Sequence, residues 1–332
     1  MAGFAPAEPK VRFVHDDADG TTPDADNRVG GEPRGGDDRR SLAGRRALIT
    51  GGSRGLGAAT ARRLAEQGVE VVITYRERED AARQVVDACA AATPGARAEP
   101  LDLLDEDSVR ALFDRLASRE DELDLLVANA ASTAFKPLLE LKPHQIDKTF
   151  TITVRHFLLM AQLGFPLLEP RGGRIVAVSG ADTVGYVPGH GLLAAAKASL
   201  ETLVRYLACE LGPHGVTALG VLPGYIDTES IRLMAGPFHD KLRAAEEVTH
   251  PLRTAASPDD AAEAVALLCR PEARWLNGQI VHNDGGGIFA YMGRFGQAWA
   301  MVPDEAVLPT TDAPPTSSGE ANIWSGPADQ PN

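Results

Sequence analysis

The chain has 332 residues, 44% of them hydrophobic and 24% charged, enough to bury a substantial core in one or two domains. A formal net charge of −13 argues against a broad grip on nucleic acid or anionic membrane and leaves room for a local basic pocket. Three scattered cysteines, Cys89, Cys209 and Cys269, show no C-x-x-C pairing, which points to packing roles in a reducing, cytoplasmic setting rather than a disulfide framework.

No unbroken run of about 18 apolar residues is present, and the N-terminus lacks the apolar segment of a signal peptide, so neither a membrane span nor secretion is expected. Residues 1–42 are rich in Gly, Pro, Asp and Arg, and 296–332 have the same character. Segments so poor in apolar surface cannot offset their ordering entropy, so both are expected to be disordered tails, with Trp324 a docking anchor at most. One domain is expected over 43–295.

Within that domain, apolar runs alternate with helical patterns. RRALIT (45–50) precedes AATARRLAEQ, VEVVITY (69–75) precedes EDAARQVVDACAAA, and ARAEPLDL (96–103) precedes DEDSVRALFDRLAS. Four more runs follow: LDLLVANAA (123–131), GRIVAVSG (173–180), GVTALGVLPG (215–224) and GQIVHNDGG (278–286). Strands buried on both faces read as continuous apolar runs, and intervening helices force parallel pairing. The expected fold is therefore α/β, a doubly wound parallel sheet of about seven strands flanked by helices.

Directly after the first strand, TGGSRGLG (50–57) opens a helix. A tight strand-to-helix turn needs glycine where φ is positive and where backbone approaches a pyrophosphate, and the helix N-terminus beyond favours anions. Gly51, Gly55 and Gly57 meet that need, with Ser53, Arg54 and Leu56 in the same turn.

The spacing Thr-Gly-x-x-x-Gly-x-Gly resembles the short-chain dehydrogenase/reductase family, and further matches follow in family order over residues 43–290. Asp102-Leu103 is similar to the pair that holds the adenine. ANAA (128–131) resembles the Asn-Asn-Ala-Gly motif, with Asn129 and Ala130 at its centre. Lys197 matches the family's helix lysine. PGYIDT (223–228) looks like the cofactor-binding Pro-Gly segment, here Pro223 and Gly224, whose Ile226 and Thr228 would meet the nicotinamide carboxamide, and NDGG (283–286) is similar to the Asp-Gly-Gly that closes the last strand. The resemblance implies a Rossmann-type fold, a nicotinamide cofactor, and a homodimer or homotetramer built partly on the helix containing 194–212.

The cofactor follows from charge. NAD enzymes place a carboxylate at the end of the second strand, whereas here Tyr75 is followed by Arg76, with Arg54 in the glycine turn. Two guanidinium groups favour a ribose 2′-phosphate, so NADP(H) is expected over NAD(H).

The chemical end departs from the pattern. The resemblance implies a tyrosine acid, a lysine that lowers its pKa, a serine that polarises the substrate oxygen and an asparagine that orders a relay water. The asparagine place is Thr153, the serine place Gly180 and the tyrosine place Leu193, so only Lys197 is kept. Some enoyl-carrier-protein reductases of the family set the tyrosine seven residues before the lysine, and VANAASTAFKPLLEL and LVRYLACEL look similar to that branch. Position 190 is His190, two helical turns from Lys197 on one face. Imidazole titrates near neutrality, although a helix N-terminus favours its neutral form, so His190 is the first replacement candidate. Tyr186 and Ser179 are second. The remaining histidines lack metal-ligand spacing, so no metal is expected. Segment 228–253 mixes apolar and charged residues as a helical flap over a substrate would.

Three readings stand at this point. The first is an NADP(H)-dependent reductase of a small-molecule or carrier-bound enoyl or keto substrate. The second is a non-redox cyclase or isomerase that retains the cofactor. The third is a catalytically silent NADP(H)-binding partner subunit.

Overall fold

The computed structural model describes residues 42–119, 122–235 and 239–290. Most of the two expected tails, and residues 291–295, lie outside that range. The tail boundary is corrected at one end: Leu42 is fully buried against the first helix and second strand, so the packed domain includes it.

Seven strands form one parallel sheet in the order β3-β2-β1-β4-β5-β6-β7. They are β1 (Arg46–Ile49), β2 (Glu70–Tyr75), β3 (Arg97–Pro100), β4 (Leu125–Ala128), β5 (Arg174–Val178), β6 (Thr217–Pro223) and β7 (Ile280–Asn283). Each lies inside its expected run and is shorter, because the outer residues of each run turn into the loops. Alternation sends Ala47, Ile49, Val71, Ile73, Leu125, Val127, Val176, Val178, Leu219 and Val221 to one face. Leu48, Val72, Leu126, Ile175, Ala177 and Ala218 face the other way. Both faces are covered, which is why the strands read as unbroken apolar runs.

Helices α1 (Gly55–Glu66), α2 (Glu79–Ala90) and α9 (Pro258–Cys269) cover the first face. The second is covered by α3 (Glu106–Ser118), α5 (His156–Leu168) and α6 (Gly191–Leu211). Between α4 (Pro143–Phe150) and α5, residues Thr151–Arg155 form a π-helical turn, a local widening often found at functional sites. By length and composition the helical run Pro143–Arg171 is apolar enough to cross a bilayer, although polar residues interrupt its apolar stretches. Its Phe157, Met160 and Leu168 are buried in the core beneath the sheet.

Strand order reverses between β1 and β4, where Ile49 pairs with Val127 on one side and Ile73 on the other. In open parallel sheets a crevice opens at the carboxyl ends of the strands at such a reversal. The glycine turn follows β1, Asn129 follows β4, and Ser179 and Gly180 follow β5. All four therefore stand on one edge.

The expected flap over 228–253 is two helices, α7 (Glu229–Ala235) and α8 (His239–Thr249).

Candidate active site

The glycine turn is held by backbone and amide groups. Thr50 Oγ1 accepts from the backbone N–H of Asn129 at 3.0 Å and of Ala130 at 3.1 Å. The Asn129 amide donates to the carbonyls of Thr50 at 2.9 Å and Gly51 at 3.3 Å. Across the sheet, Gly51 N–H reaches Thr74 Oγ1 at 3.2 Å and Gly52 N–H reaches Thr74 O at 2.9 Å. Gly51 has φ +67° and Gly55 φ +54°, conformations that L side chains rarely adopt. A Cβ on Gly57 would strike the carbonyl of Gly51 and approach the Asn129 amide to 2.6 Å. Asn129, expected to touch the cofactor, thus spends its amide on shaping the turn.

The outer side of Gly55 is open: a Cβ there would meet nothing nearer than the Thr228 methyl at 3.9 Å. That space lies at the N-terminus of α1, where unpaired backbone N–H groups and the helix dipole favour an anion. A groove of about 450 Å³ adjoins it, lined among others by Ser53, Arg54, Arg62, Gln84, Asp227 and Glu229. The groove belongs to the nucleotide side and does not extend to Lys197 or His190.

The arginines are arranged differently from the expected pair. Arg76 turns to its neighbour Glu77 at 2.5 Å. Arg78 instead grips both oxygens of Glu229, at 2.9 and 3.1 Å, and Arg54 lies 3.7 Å from the same carboxylate. Two guanidinium groups thus converge on one anionic group beside the glycine turn. Arg78 went unremarked in the sequence, although it belongs to the same YRER stretch. Among the other expected cofactor residues, Tyr75 packs partly buried at the end of β2, and Asp102 receives the Leu104 N–H at 2.9 Å. Leu103 is buried and its carbonyl bonds His156 Nδ1 at 2.7 Å. Gly224 permits close approach to Asp284, Ile226 bridges to Ala256, and Thr228 Oγ1 accepts the Ile231 N–H at 3.2 Å, starting α7. An open glycine cradle, a helix N-terminus and two converging arginines together fit a phosphorylated dinucleotide.

The chemical end is built on β5 and α6. Lys197 is buried, and its ammonium donates to the carbonyl of Val178 at 2.5 Å. Burial pushes its pKa down to about 8, while the carboxylates of Asp182 and Glu201 pull the other way. Glu201, one turn further along α6, is buried and accepts from Ser179 Oγ at 2.5 Å and Thr183 Oγ1 at 2.9 Å.

Ser179 therefore has a different task from the expected one. Its hydroxyl donates to Glu201, the same carboxylate oxygen that Thr183 bonds. Tyr186 is 82% exposed on the loop before α6. Leu193 is half-buried on the first turn of α6. Thr153 lies within the π turn, its hydroxyl buried and without a partner among the described residues.

His190 is the N-cap residue of α6. Its Nδ1 is 3.3 Å from Asp182 Oδ2, and its ring stacks at a tilt on Phe135 with centroids 4.7 Å apart. Sequence reading did not single out Asp182. A Gly two residues before an Asp, at the place where the family pattern has serine, was the available signal. Exposed apolar Phe135, Leu138 and Val187 lie beside His190 and the start of α6. Tyr225, another phenol, is half-buried with its hydroxyl buried and without a partner among the described residues, and its charged neighbours are Asp227 and, in the flap region, Glu246, Arg232 and Arg243.

Fold and site together define a doubly wound α/β protein with a dinucleotide cradle and a lysine-centred polar cluster on one sheet edge. The family model for enoyl-(acyl carrier protein) reductases matches residues 51–287. The chain is 34% identical over 284 residues to the 1-cyclohexenylcarbonyl-CoA reductase of Streptomyces collinus, covering 83% of this chain and 96% of that protein. It is 32% identical to a hydroxynaphthalene reductase of Aspergillus fumigatus over 72% of this chain and 90% of that one. A short-chain dehydrogenase from Burkholderia cenocepacia, solved in complex with NADP, superposes with a TM-score of 0.68 at 37% identity, covering 74% of this chain and 99% of the other. An angucycline C-6 ketoreductase with bound NADP gives a TM-score of 0.68 at 29% identity, over 75% and 97%. The protein belongs to the short-chain dehydrogenase/reductase family, in its enoyl-(acyl carrier protein) reductase-like group.

Proposed function

We propose that the protein is an NADP(H)-dependent reductase of an apolar enoyl or keto compound, free or attached to a carrier. One observation carries the reading: buried Lys197, with the Asp182–His190 pair beside it, stands on the same sheet edge as a glycine turn flanked by Arg54 and Arg78. The relatives named above support it, since they are named for reduction of 1-cyclohexenylcarbonyl-CoA, a hydroxynaphthalene and the C-6 ketone of an angucycline. When bound, NADPH supplies the hydride.

The chain's own residues do the rest. Arg54 and Arg78 take the ribose phosphate through charge-assisted hydrogen bonds. Backbone N–H groups at the start of α1 take the pyrophosphate. Lys197 steadies the nicotinamide half and offers positive charge near the developing oxyanion. His190 moves the proton. Phe135, Leu138 and Val187 shelter the reacting carbon from water. Enoyl reduction suits this set, because hydride goes to carbon and the residual enolate needs mainly stabilisation of its oxygen.

The wider setting follows the same reading. Unpaired cysteines favour the cytoplasm. Exposed Tyr206 and Cys209 on the outer face of α6 favour association through that helix into a dimer or tetramer. The proposed domain runs from Leu42 to residue 295.

The test is consumption of NADPH, followed by its near-ultraviolet absorbance, with a panel of cyclic enones, enoyl thioesters and aromatic ketones. Turnover with NADPH well above that with NADH is expected. Saturable NADPH binding without oxidation by any member would overturn the reading, and product formed without net oxidation would move the protein to a cyclase or isomerase.

A further inference from the structure

We infer that Asp182 is a positioning residue of this site: it uses the room left by the glycine at 180 to orient His190 as the proton donor. The inference rests on the reductase reading above.

Its first support is space. Gly180 is followed by a 3-10 turn, Ala181–Thr183, pinned by the Thr183 N–H and Oγ1, each 3.1 Å from the Gly180 carbonyl. The turn folds Asp182 back over Gly180. A Cβ on Gly180 would stand 2.7 Å from Asp182 Oδ1 and 3.6 Å from its Cγ, and would meet no other heavy atom within 4 Å. The missing side chain at 180 and the position of this carboxylate are two halves of one arrangement.

The second support is burial. The Asp182 side chain is 7% exposed, and Oδ1 is buried without a hydrogen-bond partner among the described residues. A buried carboxylate with an unsatisfied oxygen is costly, and such a cost persists where the group is held for another purpose. Nearby positive charge offsets part of it. Lys197 feels the Asp182 charge, and His190 Nδ1 meets Oδ2 at 3.3 Å.

The third support is chemistry. His190 caps α6, and its Nδ1 faces the Asp182 carboxylate. That carboxylate accepts the Nδ1 proton and fixes the ring's orientation, so that Nε2 is the nitrogen that exchanges a proton. The reduction then balances. Hydride from NADPH forms a bond to the electrophilic carbon, and the π pair moves to the oxygen as an enolate or alkoxide. Imidazolium Nε2–H of His190 protonates it and leaves neutral imidazole. NADP+ departs, and water returns a proton to His190.

Two variants test the idea. Asp182→Asn keeps the shape and removes the charge. Gly180→Ser keeps the carboxylate and pushes it aside. Each is expected to lower kcat about 100-fold, in the range of a general acid–base contribution, with KM and NADPH affinity within about threefold of the starting protein. Imidazole nitrogen NMR of the wild-type protein is expected to place the neutral-form proton of His190 on Nδ1, and to show that preference weakened in Asp182→Asn. The inference is overturned if kcat in Asp182→Asn stays within about threefold, if Gly180→Ser equals or exceeds the wild type, or if the neutral wild-type ring carries its proton on Nε2. Should Asp182→Asn fail to fold, Gly180→Ser carries the kinetic test alone. Should the wild type turn over no substrate, the reductase reading fails, and the NMR result still decides whether Asp182 orients His190.

Discussion

The turn after β1 and the cluster after β5 occupy the same edge of one sheet, yet they are held by opposite means. Around Gly51 and Gly57 the contacts are neutral: main-chain N–H and C=O groups, one threonine hydroxyl and one amide, packed so closely that a methyl group does not fit. Around Lys197 the contacts are charged: an ammonium, two buried carboxylates and an imidazole within a few turns of α6. The first arrangement fixes shape and tolerates no added volume. The second fixes charge balance and tolerates volume at Gly180, where only one carboxylate oxygen stands in the way.

The sharpest way to break this contrast is Gly57→Ala. The added methyl meets main chain rather than a movable side chain, so overpacking should cost about 3 kcal/mol and lower Tm by roughly 6–12 °C. NADPH binding should weaken at least about 100-fold in the same protein. Calorimetric melting and titration check both, and a change of less than about 1 kcal/mol would mean that the turn is softer than it looks.

A pH series isolates the charged half. Because the Lys197 pKa is lowered from 10.5 to about 8, the unfolded chain holds more protons than the native one between those values. Native stability therefore gains from this group as pH rises through that window, and the full penalty of burial is present below pH 8. From pH 8 to pH 10 the gain should be about 2 kcal/mol relative to Lys197→Met, read from urea midpoints. Parallel curves for the two proteins would show that Lys197 titrates like an exposed lysine.

A smaller effect is expected at the arginines. Arg78→Ala should weaken NADPH about tenfold and leave NADH within about twofold, as loss of a charge-assisted hydrogen bond to one phosphate predicts. Arg76→Ala should do neither, since that guanidinium is turned to Glu77. Titration of both variants with both cofactors separates the two arginines.

What was legible in the sequence divides along the same line. The sheet, the glycine turn and Lys197 depend on local features, namely two-sided apolar runs, glycines after a strand and a lysine at helix spacing, and each lies where the sequence placed it. Asp182 was not legible, because its importance arises from a vacancy two residues away that only the folded 3-10 turn brings under it. Ser179 read as a candidate because it adjoins Gly180, and only the fold shows its hydroxyl spent on Glu201. Arg78 was missed for a related reason: adjacency to β2 favoured Arg76, and only the position of α7 reveals which guanidinium faces the glycine turn. The π turn at Thr153 has no composition signal at all.

Glu229 has one carboxylate and two claimants, and it is also the first residue of α7. Any phosphate that settles between Arg54 and Arg78 competes directly with it for the same N–H donors. On the proposed reading, filling the nucleotide side therefore withdraws these donors from Glu229, and emptying it returns them to the first residue of α7.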